Sequence, residues 1–324
     1  MSTSTSETSR PRPWTRFRGW LPDRVDRRVR VIAWLNLVGN VVIIGTGGAV
    51  RLTDSGLGCD TWPLCTAGSL VPTAALVDES VHSLIEFGNR MMSPVLGVLA
   101  LLLLLAVWRL RRARRDLFVL AWIVMAGIVA QAVVGGITVW TGLNPFIVGF
   151  HYVASLTLVC VCAAIVARLA TAPGPRRRAV PRWYAITTHV TTLVLAVTIV
   201  FGVLTTGAGP HSGDDSAGRN GFDATLLEHV HSWPAYALFA LTIVLAAAAW
   251  LRRLPTRGWL TVLLAVELVQ IAVGLYQART GLPAIAVGIH MVLASLTAAA
   301  MTVVVLRLRA PAASPATVSS SVNA

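Results

Sequence analysis

The sequence contains no lysine, and all 27 of its basic residues are arginine. Charged residues make up only 13% of its 324 positions, whereas 55% are hydrophobic and the mean hydropathy is +0.70. This is too little charge for the surface of a soluble protein of this length, so we expect an integral membrane protein. The N-terminal stretch also lacks a short apolar run followed by small residues, so no cleavable signal peptide is expected.

Long apolar runs of about 20 residues, enough to cross a bilayer core, occur in eight places. Lipid offers no partner to a free backbone N–H or C=O, so such runs should be helices. The predicted fold class is an all-α integral membrane protein with eight transmembrane helices. The runs lie at roughly 31–50, 90–108, 117–140, 146–168, 183–206, 229–251, 258–278 and 284–306.

The net charge of +13 is unevenly distributed along the chain. Arginine is concentrated in alternate loops and the other loops hold mostly acidic residues, which is the positive-inside pattern. It predicts a multi-pass protein of the plasma membrane with both termini cytoplasmic, in contact with the lipid bilayer and not with nucleic acid. The arginine segments are Arg10–Arg30, Arg109–Arg115, Arg176–Arg182, Arg252–Arg257, and Arg307 with Arg309.

An internal repeat organises the chain. The stretch 131–151 returns 139 residues later as 270–290, with nine of 21 positions identical. Residues 86–89 fall on 228–231 at an offset of 142. We therefore predict two duplicated four-helix bundles related by a pseudo-two-fold along the membrane normal.

The predicted boundaries follow from this repeat. They are a disordered cytoplasmic N-terminus at 1–30, a first bundle at 31–168 with an outer loop at 51–80, a cytoplasmic linker at 169–182, a second bundle at 183–306, and a disordered cytoplasmic tail at 307–324.

Histidines occupy matched positions in the two copies. The second copy places His231 and His290 near the outer ends of its second and fourth helices, where the first copy has Asn89 and His151. Two neutral imidazoles facing each other across a bundle suit a haem iron. The second copy thus predicts a permanently ligated haem and the first a more open, exchangeable site, with His82 as a possible second ligand. The alternative for any one histidine is an interhelical hydrogen bond.

Glu86 is the candidate catalytic carboxylate, because it lies on the same helical face as Asn89 and beside the first site. Partial burial there would suit proton transfer; the alternative is a solvated carboxylate at a helix start. Glu228 matches it in the second copy. Glu267 lies in the middle of a membrane run and has no assigned role, with a hydrogen bond to Gln270 or His189, or proton relay, left open.

Several residues of the outer ends are candidates for contact with haem. Arg51, Arg90 and Arg279 could pair with propionates or act as interfacial anchors. His211 could cover a porphyrin edge or be a plain loop residue.

Cys59 and Cys65 lie in the first outer loop, on the oxidising side, where a disulfide is plausible in either a structural or a redox role.

Together these residues resemble the haem A synthase family in its actinobacterial form, over about 31–306. No one motif is specific by itself. The motifs are Ser55–Cys59 through Trp62–Cys65, Glu86–Arg90, Gln131 to Gly135 with Thr141-Gly-Leu, His151, Thr206–His211, His231 and His290.

The resemblance implies an oxidoreductase that converts the C8 methyl of haem O to a formyl group, giving haem A for terminal oxidases. It implies a fixed haem b on His231 and His290, with haem O held through His151. It assigns the essential carboxylate to Glu86 and the loop cysteine pair to Cys59 and Cys65. Haem O synthase and the oxidase assembly machinery become expected partners, and an oligomer is left open.

Two features depart from the family. Many members have histidine where this chain has Asn89, which leaves His82 or no residue as the second substrate ligand, and the second outer loop lacks a cysteine pair found in some members. The alternative functions are a dihaem b-type electron-transfer protein linked to quinone, and a transporter built from repeats.

Overall fold

The computed structural model describes residues 21–72 and 77–312. Within them, eight helices are long and apolar enough to cross a membrane, which confirms the predicted all-helical membrane fold. The helices are α1 (Arg27–Leu52), α2 (Val77–Trp108), α3 (Arg115–Trp140), α4 (Pro145–Leu169), α5 (Arg182–Ala208), α6 (Ala224–Leu251), α7 (Arg257–Arg279) and α8 (Ala284–Leu306); one short ribbon pairs β1 (Arg176–Arg178) with β2 (Arg309–Pro311).

The two ends of the helix bundle differ in composition. We call the end with the loops 53–72 and 209–223 the long-loop end. The opposite end, with 109–114, 170–181, 252–256 and 307–312, is the arginine-rich end. A multi-pass chain of eight helices returns to the same end after each pair, so α1 and α5 run in the same direction.

Side-chain caps explain where three of the helices begin. The Asp26 carboxylate accepts from the backbone N–H of Val29, and Asp223 does the same for Leu226. Asn144 caps α4, whose first residue is a proline. Each cap satisfies a backbone donor that a helix start leaves free.

Two predicted disordered segments are wrong in part. Arg27–Arg30 belong to α1, because the Asp26 cap starts the helix there. In the tail, Arg309–Pro311 pair antiparallel with Arg176–Arg178, so each strand satisfies the other's backbone groups. The rest of both segments, residues 1–20 and 313–324, lies outside the described residues.

Helix α2 begins well before the predicted start near residue 90, and the outer loop is correspondingly shorter than 51–80. Polar residues at 82, 86, 89 and 90 interrupt the apolar run that the prediction relied on. His82, Glu86 and Asn89 are therefore all helical.

Each half has its own apolar core, and a third cluster joins the halves. Helices α1–α4 bury the first core and α5–α8 the second. Between them, α4 packs against α8 and α5, and α1 packs against α8. The Tyr152 hydroxyl of α4 donates to the carbonyl of Met291 in α8 at 2.9 Å, and these two residues occupy equivalent repeat positions. A contact between equivalent residues is compatible with a pseudo-two-fold axis that passes between α4 and α8; the symmetry itself stays a prediction.

The turns α3–α4 and α7–α8 have the same conformation. Thr141 and Thr280 end their helices and each hydroxyl bonds back to the carbonyl four residues earlier, at 2.7 Å. The following Gly-Leu pair has positive φ in both copies, 59° and 58° in the first and 76° and 58° in the second. Positive φ is costly for leucine, so its occurrence in both copies indicates that the turn is a shared feature of the repeat.

The second bundle buries one polar pair that the first bundle lacks. Glu267 is 3% exposed near the middle of α7, and the Thr242 hydroxyl donates to its Oε1 at 3.0 Å. Its Oε2 has no hydrogen-bond partner among the described residues, so it bonds neither to Gln270, whose amide nitrogen donates to the His290 carbonyl, nor to His189. The repeat-equivalent positions hold Ile128 and Ala100, both buried in the first core.

Replacing Glu267 with isoleucine, as at Ile128, should leave the thermal unfolding midpoint in detergent unchanged or raise it. The substitution removes an unsatisfied buried oxygen and conserves volume, and the single proton of the Thr242 hydroxyl can then go to the Leu238 carbonyl. Glu267→Ala is the control: it leaves a cavity and should cost about 2 kcal/mol or more. Equal losses in both variants would show that the carboxyl group itself supports the fold.

Candidate functional site

Each of the four candidate ligand positions lies against a glycine of a neighbouring helix. A methyl group on Gly202 of α5 would come 2.8 Å from Cε1 of His231, and one on Gly274 of α7 would come 3.1 Å from Cε1 of His290. In these two pairs only glycine leaves the ring its full space.

The first bundle repeats the arrangement with more room. A methyl group on Gly135 of α3 would lie 3.6 Å from Cε1 of His151, and one on Gly47 of α1 would lie 3.8 Å from Oδ1 of Asn89. The same helix pairs thus present residues 89 and 151, and residues 231 and 290, to the interior of each bundle.

His231 and His290 face each other in the second bundle. Their ring centroids are 6.3 Å apart with an interplanar angle of 75°. Both lie about 9–10 Å along their helices from the long-loop end, so they are at one depth. His231 Nδ1 donates to the Thr198 carbonyl at 2.9 Å, which leaves its Nε2 as the acceptor nitrogen.

This geometry fits an axial ligand pair. Two imidazoles on opposite sides of one metal have centroids about 6 Å apart, because a metal–imidazole bond is about 2 Å long and the nitrogen lies about 1 Å from the ring centroid. His290 Nδ1 is buried and has no partner among the residues described. The two side chains are therefore suited to hold a haem iron, as the sequence predicts.

A glutamine clamp positions the fourth helix in both bundles. Gln131 Nε2 donates to the carbonyl of His151 at 2.9 Å, and Gln270 Nε2 to the carbonyl of His290 at 3.1 Å. The bond bridges adjacent helices at the residue that carries the imidazole. His151 Nδ1, like His290 Nδ1, has no partner in the described part of the chain.

His82 does not reach the level of these residues. It is exposed, and its Nδ1 is 2.9 Å from the Ser55 hydroxyl. It precedes Asn89 by seven residues, which places it about 10 Å further toward the long-loop end. The structure thus gives no support to His82 as the second ligand.

Glu86 and Arg90 form a buried ion pair, so the alternative of a solvated Glu86 is wrong. Glu86 is 4% exposed, its Oε1 accepts from Arg90 Nε at 2.9 Å, and its Oε2 accepts from the backbone N–H of Cys59 at 2.6 Å. Both oxygens contact donors only, and these contacts favour the carboxylate form. Its repeat partner Glu228 is exposed and has no arginine four residues later.

Arg90 clamps the cysteine loop onto α2. Its guanidinium donates to the carbonyls of Cys59, Thr61 and Leu64 at 2.8–3.0 Å, in addition to Glu86. These contacts use all five of its N–H donors. A propionate would therefore have to displace one of these bonds, and the pairing of Arg90 with a propionate stays a prediction.

The cysteine loop covers the first bundle at the long-loop end. Cys59 and Cys65 form the predicted disulfide. Trp62 packs on Gly136, where a methyl group would come 2.5 Å from its ring, and meets Trp140 edge-on at 5.3 Å. Gly136 adjoins Gly135, so this cover lies over the helix that contacts His151.

The second long loop connects the halves. His211 Nε2 donates to the carbonyl of Leu282 in the α7–α8 turn at 2.8 Å. Arg51 Nη2 donates to the Thr206 carbonyl at 3.0 Å, and the N–H of Gly56 donates to the Gly213 carbonyl at 2.7 Å. Arg279 is exposed at the end of α7. Propionate contacts for Arg51 and Arg279, and a covering role for His211, stay predictions.

Sequence reasoning missed the residues that orient the ligands. Gly47 contacts residue 89 and Gly202 contacts residue 231, each from the neighbouring helix, and these two glycines are 155 positions apart. The carbonyls of Ile43 and Thr198 are also 155 positions apart. This third offset was not visible in the sequence, since α1 and α5 share little beyond apolar residues. The glycine and glutamine shared by the repeated stretches 131–151 and 270–290 were visible in the sequence, but nothing in the sequence indicated their role.

Residues 30–210, more than half of the chain, match the family model described as "Cytochrome oxidase assembly protein", COX15-CtaA. The chain belongs to the COX15-CtaA family. The matched range includes the whole first bundle, the linker and α5, and it ends before His211.

Curated relatives of this COX15-CtaA chain carry the name "Heme A synthase". The protein of Halalkalibacterium halodurans is 29% identical over 137 residues, that of Lysinibacillus sphaericus 34% over 131, and that of Listeria welshimeri 30% over 142. The matches cover 42%, 39% and 44% of this chain, and 44%, 41% and 45% of the relatives. They therefore span less than half the length of each relative.

Gly202→Ala and Gly135→Ala form a matched test of the glycine–imidazole contacts. The first substitution overlaps a ring fixed by its bond to Thr198, so it should cost about 1–3 kcal/mol and lower the haem retained on purification. The second makes an ordinary contact and gains helix propensity, so stability should be equal or higher. Thermal unfolding in detergent and Soret absorbance give both readouts. Equal loss in the two variants would contradict the assignment of Gly202 to the His231 pocket.

Proposed function

We propose that this protein is a haem A synthase, a membrane oxidoreductase that converts the C8 methyl of haem O to a formyl group, a four-electron oxidation that needs an oxygen atom from water or dioxygen and an external electron acceptor. The observation that carries the proposal is that two positions matched by the repeat, 89 and 231, hold different residues. The second bundle offers two facing imidazoles, whereas the first offers His151 and an asparagine. One fixed and one exchangeable haem is the arrangement that a haem-modifying enzyme needs. The names of the relatives and the family support the same conclusion.

In this proposal His231 and His290 hold a haem b, which when bound supplies one-electron transfer. The Thr198 carbonyl keeps the proton of His231 on Nδ1 and turns Nε2 inward. Gln270 fixes the backbone of His290. These residues would bind the haem iron and orient the two rings.

His151 would ligate the haem O iron, oriented by Gln131 as His290 is by Gln270. The cysteine loop would exclude water above it, since Trp62 closes the end of α3. Glu86, held as a carboxylate by Arg90 and the Cys59 N–H, would stabilise positive charge developing at the methyl carbon or take its proton. Because Arg90 and the Cys59 N–H join the cysteine loop to Glu86, an ordered loop also fixes the position of the carboxylate.

The proposal includes location and partners. The arginine-rich end would face the cytoplasm of a plasma-membrane protein, with both termini on that side. Haem O would be received from haem O synthase, and haem A passed to the terminal oxidase assembly machinery.

The first test is the haem content of the detergent-purified protein, separated by chromatography with mass detection. We expect haem B together with haem O, hydroxylated intermediates or haem A. Haem B alone at two per chain would overturn the synthase and favour an electron-transfer protein, and a haem-free protein would overturn both.

Glu86→Gln and Glu228→Gln give a matched pair for the carboxylate. Glu86→Gln should lower haem O conversion by about 100-fold, because it removes charge stabilisation at the reacting carbon. Glu228→Gln changes the exposed repeat partner and should convert at the wild-type rate. Conversion is measured by chromatography of the product haem in membranes with supplied haem O.

Thermal midpoints and disulfide content separate this effect from loss of the loop. A Glu86→Gln protein with an intact Cys59–Cys65 bond and normal conversion would remove Glu86 from the mechanism.

A further inference from the structure

Asn89 has a contact pattern that differs from that of its repeat partner. In the second bundle, His231 donates from Nδ1 to the Thr198 carbonyl. The equivalent carbonyl in the first bundle is that of Ile43. Ile43 precedes Gly47 by four residues, just as Thr198 precedes Gly202 by four residues. It is approached by the Thr46 hydroxyl at 3.3 Å. Thr46 therefore takes the place that the imidazole has in the other copy.

The Thr46 hydroxyl also fixes the Asn89 amide. It donates to Oδ1 of Asn89 at 2.8 Å, which is the shorter of its two contacts. The amide oxygen is then occupied and points toward α1. The Nδ2 group lies on the other side of the amide, and it is a pure donor with no lone pair for a metal.

The other candidate side chains on the polar stretch of α2 are engaged elsewhere. His82 lies about 10 Å further out and bonds to Ser55. Both Glu86 oxygens accept hydrogen bonds, from Arg90 and from the Cys59 N–H, and the Arg90 guanidinium has no lone pair for a metal. Asn89 is thus the polar group in the position that His231 takes opposite His290.

We propose that Asn89 is a hydrogen-bond donor on an open coordination face opposite His151, and that this face binds a small ligand with an acceptor lone pair. Thr46 is its positioning residue, because it selects the amide orientation that turns Nδ2 inward. The inference rests on the proposed function to the extent that a haem is held by His151. A donor beside an open iron face favours a bound small anion or polar diatomic over an apolar one.

The test uses the purified, haem-loaded full-length protein, with electron paramagnetic resonance for spin state and titration with sodium azide. The wild-type protein should show a low-spin component from His231 and His290 and a second, high-spin component that azide converts. The first component serves as an internal control, because both of its axial positions are filled.

Three variants separate the roles of the two residues. Asn89→Leu keeps the volume and removes the donor, so azide should bind about 10- to 100-fold more weakly, as for loss of a hydrogen bond to a charged group. Thr46→Val frees the amide and should weaken azide binding by a smaller factor. Asn89→His should convert the high-spin component to low-spin without azide, since Gly47 leaves room for a ring as Gly202 does.

Two results would overturn the inference: a wild-type protein with only low-spin haem in both bundles, or azide binding that is unchanged in Asn89→Leu. Each can be told apart from failure of the proposed function. Azide binding that depends on Asn89 in a protein without haem O conversion would retain this inference and reject the synthase. Haem O conversion together with azide binding that does not depend on Asn89 would reject this inference and retain the synthase.

Discussion

The functional arrangement depends on close contact between a glycine of one helix and a ligand side chain of its neighbour. Glycine lets the helix backbone approach an imidazole inside the membrane, where small residues are what allow close helix packing. The contact is close at His231 and His290 and looser at His151 and Asn89, so glycine is required for the ring position in the second bundle and leaves spare room in the first. The glutamine clamps and the Thr198 carbonyl then fix the rings within that frame.

Because the two bundles place equivalent residues in similar positions, the residues that differ between them can be compared directly. Glu86 is buried against Arg90 under the cysteine loop, whereas Glu228 is exposed. Glu267 is buried in the second bundle, where the first has Ile128. The first difference changes the surroundings of a carboxylate present in both bundles, and the second replaces an apolar side chain with a carboxylate, so the equivalent position in the other bundle serves as a comparison for each.

Much of this structure was predictable from the sequence, and the failures have physical causes. Hydropathy predicts the eight helices, and the repeat predicts that residues 231 and 290 are brought together, because both patterns reflect where a side chain lies relative to lipid. Helix α2 was predicted too short, because Glu86, Asn89 and Arg90 are polar residues satisfied by a loop and by Thr46 rather than by water. Contacts of Arg90 with three loop carbonyls follow from tertiary packing and leave no local pattern. The pairing of β1 with β2 was missed for the same reason.

The ribbon between Arg176–Arg178 and Arg309–Pro311 joins two segments that flank the second half. Chain entry to α5 and chain exit from α8 are therefore adjacent, at one point of the arginine-rich end. A unit whose ends meet can be joined to another copy of itself by a short connection, without rearranging its helices. This chain path is compatible with the tandem duplication that the sequence predicts, in which each copy can differ in its chemistry.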